Sequence, residues 1–395
     1  MTKMNSVVVV DAIRTPIGSL CGKLSSMSAP ELGSVVIGAL YKNNSLNPDI
    51  IDEVIMGQAI QAGSGQAPAR QSALKAGLKN TIPCTTINQG CASGMKAIGY
   101  AIRQIGCGDA EVMVAGGMES MSNVPHYQMD SRFGTRMGDL RLSDGILLDG
   151  LRDPVKKQHM GHAAELCAQT YGLSRQEQDD HAIESCRRSQ QAGNQGAFDA
   201  ETASVKIRDR SGHAEVIERD EIPGRTHHDR FSEHAPAYQK NGTVTAGNSF
   251  KTGDGAAALL LMSEKKAGEL GLSPLAHLMS QFSTAQAPKW FTTSAAHAIP
   301  QALKRAGLAT TDIDLFEIHE TFSASTLANM KLLQLTADSV NIHGGAVGLG
   351  HPLGCSGARI LVTLLHALRW HEKKRGCAAI AGGGGEASAM VMERM

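Results

Sequence analysis

Internal repetition constrains the fold of this chain more than any other feature of its sequence. Asp52-Glu53-Val54 is answered by Asp314-Leu315-Phe316, Ser93-Gly94 by Ser356-Gly357, and Ala115-Gly116-Gly117 by Ala381-Gly382-Gly383, in the same order and at offsets of 262 to 266 residues. In each copy an apolar helical stretch follows the Ser-Gly pair, and a strand-like run ends on the Gly-Gly pair. A chain that repeats strand, tight turn and helix in this way reads as a duplicated α/β unit. Local patterns agree. Strands are predicted at Val7 to Val10, Glu53 to Met56, Val112 to Ala115, Leu315 to Ile318 and Ala378 to Ala381. Helices are predicted over Ala29 to Tyr41, over Ser93 to Gln104, where Met95, Ile98 and Ala101 recur at helical spacing, and over Gly357 to Trp370, with Ile360, Leu361, Leu364, Leu365 and Leu368 on one side.

The chain has 395 residues, which at about 150 residues per domain leaves room for two or three packed units. Its 38 basic side chains balance 38 acidic ones, so no nucleic acid or anionic membrane is expected as a partner recruited by bulk charge. The longest apolar runs, Val7 to Val10 and Ala257 to Met262, are strand-sized, and no membrane span is predicted. The first residues turn polar and prolyl too soon for a signal peptide, and a cytoplasmic protein is expected. Eight scattered cysteines without a CxxC pair point to reduced thiols rather than a disulfide framework or a zinc knuckle. Glycine, at 43 residues, is in excess, and much of that excess lies at Gly90, Gly94, Gly116, Gly117, Gly344 to Gly354 and Gly382 to Gly385, around the residues singled out below.

From about Ser120 to Thr243 the chain is rich in His, Arg, Asp, Gln and Ser and reads as an insertion, either shaping a binding site or solvated. Ser174 and Glu177 have the spacing of a capping box ahead of a predicted helix from Arg175 to Gln191. Cys91 follows Asn88-Gln89-Gly90 at the mouth of the Ser93 helix, where the positive dipole end favours thiolate; the alternative is a small buried cysteine filling a turn. In Gly348-Leu349-Gly350-His351-Pro352-Leu353-Gly354, glycines on either side of a histidine fixed by proline suit a base that takes a thiol proton, or a structural loop. Glu317-Ile318-His319-Glu320-Thr321-Phe322 could hold a water or an oxyanion, or be a polar strand end; it is not a metalloprotease HExxH because position 323 is serine. His159 and His162 lack a third ligand nearby, so no metal is expected, and His227-His228 reads as surface.

Together these motifs resemble the thiolase superfamily along nearly the whole chain. The landmarks run in order: Arg14-Thr15-Pro16-Ile17-Gly18, Met56-Gly57 to Ala69-Arg70, Asn88 to Ala97, Gly116-Gly117-Met118-Glu119-Ser120-Met121-Ser122, His159-Met160-Gly161, and Thr243 to Asn248, with Gly350-His351-Pro352-Leu353-Gly354-Cys355-Ser356-Gly357-Ala358-Arg359 the most specific. The resemblance implies a five-layered αβαβα fold from two similar halves, residues 1–119 plus 244–270 and residues 271–395, with a loop domain over 120–243. It implies an acyl-CoA C-acyltransferase, of the acetyl-CoA acetyltransferase or 3-ketoacyl-CoA thiolase type, that works by ping-pong acyl transfer. Coenzyme A thioesters would be its substrates, with no bound cofactor, in a homodimer or homotetramer.

By the same resemblance Cys91 is acylated, His351 activates it, and the backbone amides of Cys91 and Gly383 form one oxyanion hole. His319 stands where most members have an asparagine that positions the water of a second oxyanion hole. His159, Ser249, Phe250 and Phe291 belong to the acyl and pantetheine pocket; Phe250 replaces a usual serine, and with Trp290 and Phe291 it implies a reshaped tunnel. The family's second cysteine, which shuttles the proton of the second acyl-CoA, falls on Ala381. Cys377 lies four residues upstream on the same strand, about 13 Å away at strand rise, and Thr321 is a poor substitute shuttle. Because of Ala381, transfer of the acyl group to water or another nucleophile, and a non-catalytic CoA-binding role, stand as alternatives. A ketosynthase shares the fold, but the Gly350 to Gly354 segment and the insertion favour the thiolase reading.

Overall fold

The computed structural model describes residues 5–395 except 135, 209–211, 226 and 227, so His227 lies outside the described residues. Nine strands form one hydrogen-bonded path: β1 (Val7–Arg14), β2 (Glu53–Gly57), β3 (Cys84–Ile87), β4 (Val112–Ser120), β5 (Gly253–Ser263), β6 (Ala276–Ala285), β7 (Leu315–Ile318), β8 (Arg375–Ala381) and β9 (Glu386–Arg394). Their order is β7-β8-β9-β6-β1-β5-β4-β2-β3, with β1 and β6 paired antiparallel at the junction. Outward from that junction each half repeats the same pattern, two antiparallel pairings and then a parallel one: β1-β5-β4-β2 on one side, β6-β9-β8-β7 on the other.

The repeat in the sequence is thus a repeat in space, and its matched residues do matched work. The Asp52 carboxylate accepts from the amides of Glu111 and Val112 at the start of β4, and Asp314 accepts from those of Lys374 and Arg375 at the start of β8. Alternate residues of the first half-sheet point to two cores. Val7, Val9, Met113, Ala115, Leu259 and Leu261 face the interior between the halves, while Val8, Val10, Val112, Val114, Leu260 and Met262 pack under helix α1 (Ala29–Asn43) on the outside. Burial on both faces explains why these strands read as continuous apolar runs.

Two helices fill the interior, α2 (Ser93–Cys107) and α7 (Leu353–Trp370), and α7 touches strands of both halves. Every residue of α7 from Leu353 to Leu368 is buried, the polar Ser356, Arg359, Thr363 and His366 included. It starts four residues before the predicted Gly357, at the turn that follows His351. The helices cross where the repeated Ser-Gly pairs meet. A Cβ on Gly94 would lie 2.9 Å from the Ala358 nitrogen and the Gly354 oxygen, and one on Gly357 would lie 2.6 Å from the Met95 nitrogen. Only hydrogen fits at either position. Helix α5 (Ser294–Ala306) covers β6, β9 and β8 on the far side, giving the layer order helix, sheet, helices, sheet, helix.

Between β4 and β5 the chain makes its excursion, with α3 (Gly161–Tyr171) and α4 (Arg175–Gln195) as its main elements, both packed against α6 (Ser323–Leu333) of the second half. The predicted capping box is present: the Ser174 hydroxyl accepts from the Glu177 amide at 3.2 Å, and the Glu177 carboxylate accepts from the Ser174 amide at 2.7 Å. The wholly buried Arg14 ties this excursion to β1 through ion pairs with Glu201 and Asp220. Strands β6 and β9 escape prediction for separate reasons. A bulge between Leu278 and Ser280 breaks the alternation in β6, and β9 is built largely from Ala, Ser and Met, which carry little strand signal. Among the described residues no helix is long and apolar enough to cross a membrane.

Candidate functional site

Cys91 lies in a tight turn between β3 and α2 that side chains hold from both ends. The Asn88 side chain donates to the Ala59 carbonyl and accepts from the Gly90 amide. The Ser93 hydroxyl accepts from the Gln89 amide and donates to the Gly90 carbonyl. Gly90 has φ +55°, a left-handed conformation that favours glycine. The turn leaves Cys91 buried, 2% exposed, just ahead of the first turn of α2.

The corresponding turn of the second copy delivers His351. Its amide donates to the Lys251 carbonyl at 2.7 Å, and Pro352 serves as N-cap of α7. Glu119, from the end of β4, clamps this turn to the first half by accepting from the amides of Ala59, Ile60 and Gly354. Burial raises its pKa to about 7 against the lowering by these donors. All of them are N–H groups, so Glu119→Gln would set an amide NH2 against at least one. This variant is expected to lose about 1–3 kcal/mol of stability in a denaturant titration. An unchanged midpoint would show that the carboxylate is not needed as an acceptor.

His351 Nε2 lies 3.2 Å from Cys91 Sγ, and Nδ1 lies 2.6 Å from the Ser356 hydroxyl. That hydroxyl has one proton and donates it to the Pro352 carbonyl at 3.0 Å, so it must accept from Nδ1–H. The tautomer follows: Nε2 offers its lone pair to the thiol. Sequence reasoning quoted Ser356 as part of a motif but gave it no role, since its partner is identified only once the α7 turn is formed.

The expected thiolate is corrected by the structure. Burial pushes the Cys91 thiol up to about 12, although the amides of Cys91 and Gly383 against the sulfur pull the other way, and Glu119 adds to the rise. Burial, with a lesser contribution from the Arg359 charge, lowers His351 to about 3. The resting pair is therefore neutral thiol and neutral imidazole. Alkylation of the Cys91 peptide by a small neutral reagent is expected to rise about tenfold per pH unit from pH 7 to pH 9, following the thiolate fraction. A rate that has already levelled at pH 7 would reveal a preformed ion pair.

His319 follows the end of β7, and its ring centroid is 4.1 Å from that of His351. Both its ring nitrogens are buried without a partner, and burial holds its pKa well below the usual value. Residues 248–250 and 321–323 run side by side: the Phe250 amide donates to the Thr321 carbonyl, and the Ser323 amide to Asn248. This pairing sets Phe250 5.9 Å from Phe322 and edge-on to His351 at 5.0 Å.

His159 stacks on Tyr238 at 4.7 Å, and burial lowers it to about 4. A cavity of about 450 Å³, within the usual range for ligand pockets, is lined by Leu151, His159, Arg225, Tyr238, Phe250 and Lys251. A smaller one of about 70 Å³ on the other side of His159 reaches Met160, Lys289, Phe291 and Gly383. Ser249, by contrast, turns into the protein and donates to the Thr245 carbonyl at 2.6 Å. Ala381 ends β8 in the common core, two residues before the Gly383 amide that faces Cys91, while Cys377 on the same strand is fully buried. Tyr238 and Glu119 were not singled out from sequence, where nothing marks a tyrosine as a stacking partner or a glutamate as a backbone clamp.

The chain matches the thiolase N-terminal domain over residues 7–265 and the thiolase C-terminal domain over residues 272–394. Acetyl-CoA acetyltransferase 2 of Arabidopsis thaliana is 46% identical over 98% of this chain and 96% of its own length. Acetyl-CoA acetyltransferase ERG10, cytosolic, of Gibberella zeae is 46% identical over 100% of both chains. The crystal structure of the Bacillus anthracis acetyl-CoA acetyltransferase superposes with a TM-score of 0.97 at 38% identity, covering 100% of both chains. With both domains matched in order over a fold built from two like halves, the chain belongs to the thiolase superfamily.

Proposed function

We propose that Cys91 and His351 carry the acyl-transfer step of a thiolase-type acyl-CoA C-acyltransferase. As Sγ attacks the thioester carbonyl, its proton passes to His351 Nε2, and the Ser356 hydroxyl steadies the charge appearing on the ring. The oxyanion accepts from the amides of Cys91 and Gly383, and the departing coenzyme A thiolate takes the proton back from His351. The observation that carries this reading is the 3.2 Å contact between Cys91 Sγ and a His351 whose tautomer is set by Ser356.

The larger cavity, whose lining includes His159, Phe250, Lys251 and an Arg225 paired with Glu221, suits a pantetheine arm, with the two cationic side chains available to its phosphates. Phe291 and Gly383 border the acyl group from the smaller cavity. Residues 120–243 act as the loop domain over this site. The nearly complete burial of Cys91 works against loss of the acyl group to water. A cytoplasmic location accords with the relative named cytosolic. Assembly into a homodimer or homotetramer would cover Phe133 and Met137, which are 94% and 95% exposed. The test is intact mass after incubation with acetyl-CoA: one acetyl group on the protein, located at Cys91 by peptide mapping, is expected.

A further inference from the structure

An acyl group on Cys91 must meet a carbon nucleophile, and a thioester supplies one by losing an α-proton only where a base stands beside that carbon. At the end of β8 Ala381 offers a methyl group. Cys377, the other thiol of that strand, is wholly buried four residues away. The nearby carboxylates are occupied. Glu119 is held by three backbone amides, Glu320 by Ser185, Asn341 and the Val347 amide, and Glu317 faces Arg359 at 3.6 Å.

His319 lies against His351, ring centroids 4.1 Å apart, with both its ring nitrogens buried and unpartnered. Buried next to a second imidazole and near Arg359, it stays neutral; like His351, which burial lowers to about 3, it is a poor acceptor for a carbon-bound proton, but it leaves a free N–H donor. Around the pair stands an apolar wall: Phe250 at 5.0 Å from His351, Phe322 behind it, and Phe291 at 6.5 Å from Phe322. A carboxylate brought against such a wall loses its hydration, whereas neutral carbon dioxide does not need any.

We propose that the acceptor is a β-carboxy thioester of the malonyl type, whose carbon nucleophile forms by loss of carbon dioxide rather than of an α-proton. The bond from Cα to the carboxylate breaks, and its electron pair forms an enolate whose oxygen accepts from His319. The enolate carbon attacks the acyl carbonyl on Cys91, a carbon–carbon bond forms, and the bond to sulfur breaks. One proton, drawn from water through His351, restores the thiol, and a 3-ketoacyl thioester and one carbon dioxide leave. The proposal rests on the acylation of Cys91 described above.

The experiment starts from protein already acetylated at Cys91 and adds either malonyl-CoA labelled in its free carboxyl or a second portion of acetyl-CoA. Labelled carbon dioxide and 3-ketoacyl-CoA are expected in equal amounts, with the product forming at least about 10²-fold faster from malonyl-CoA than from acetyl-CoA. On the acetylated protein, His319→Ala is expected to slow carbon dioxide release by about 10²- to 10³-fold, and His319→Gln, which keeps an N–H donor, to recover part of it. Retention of the labelled carboxyl, or equal rates with the two acceptors, would overturn the proposal while leaving the acylation intact. Absence of any acetyl group on Cys91 would instead overturn the acylation on which it rests.

Discussion

Cys91→Ala is expected to accept no acetyl group from acetyl-CoA, and its turnover is expected to fall by on the order of 10⁴- to 10⁶-fold, the scale on which loss of a nucleophile is felt. His351→Ala is expected to keep a slow acylation, lower by about 10²- to 10⁴-fold, because the thiol remains but has lost the acceptor 3.2 Å away. The two effects should not multiply in the double variant, since sulfur and imidazole act in a single proton transfer. Intact mass against time separates the cases, with thermal unfolding as the control for folding. An acetyl group that persists on Cys91→Ala would place the nucleophile elsewhere; the buried Cys355 of the His351 turn is then the next thiol to examine.

Ala381→Cys addresses the second half of the reaction. A thiol at the end of β8, two residues before the amide that faces Cys91, would restore a group able to take an α-proton from a bound acetyl thioester. Condensation of two acetyl-CoA molecules, and thiolysis in reverse, are expected to rise by about 10²- to 10⁴-fold, while the rate of Cys91 acylation changes little. Ala381 is almost fully buried, so Ala381→Ser, of similar size but without an acidic proton in the working range, controls for packing. If cysteine brings no gain over serine, proton removal is not what the site lacks.

Legibility from sequence varied from element to element. The strand from Leu315 to Ile318 is found with both predicted ends, because it is a short apolar run bounded by turn residues. Helix α7 was predicted from Gly357 but begins at Leu353, for a reason that lies outside the helix. Its start carries Gly354 and Gly357, which read locally as loop; close approach of Gln58, Ala59 and Met118 demands the first and the crossing with α2 the second, and such partners are invisible along a single chain. Cys91 and His351 could be singled out because each is framed by glycine and a helix start, yet they are 260 residues apart and only the fold brings sulfur to nitrogen. For the Cys91 proton the helix start and the buried setting pull in opposite directions, and burial prevails. A helix dipole is worth about 0.3–1 kcal/mol at a surface, whereas burial moves a thiol by several times that, and nothing in the turn's sequence told how deeply α7 would cover it.

The crossing of α2 and α7 has a further consequence. At the offset of Ser93 and Ser356, Cys91 corresponds to Gly354 and His351 to Asn88, so the turn of the proposed nucleophile and that of the proposed base are one turn used twice with different cargo. The first copy has sulfur and no imidazole, and the second has imidazole and no sulfur at the matching place. During synthesis the first half emerges with a thiol that has no proton acceptor, and the acceptor arrives only when the last third of the chain has folded and α7 has docked. On the proposed roles, full reactivity toward thioesters is expected only once this docking is complete, and an incomplete or misfolded chain would take an acyl group no faster than His351→Ala does.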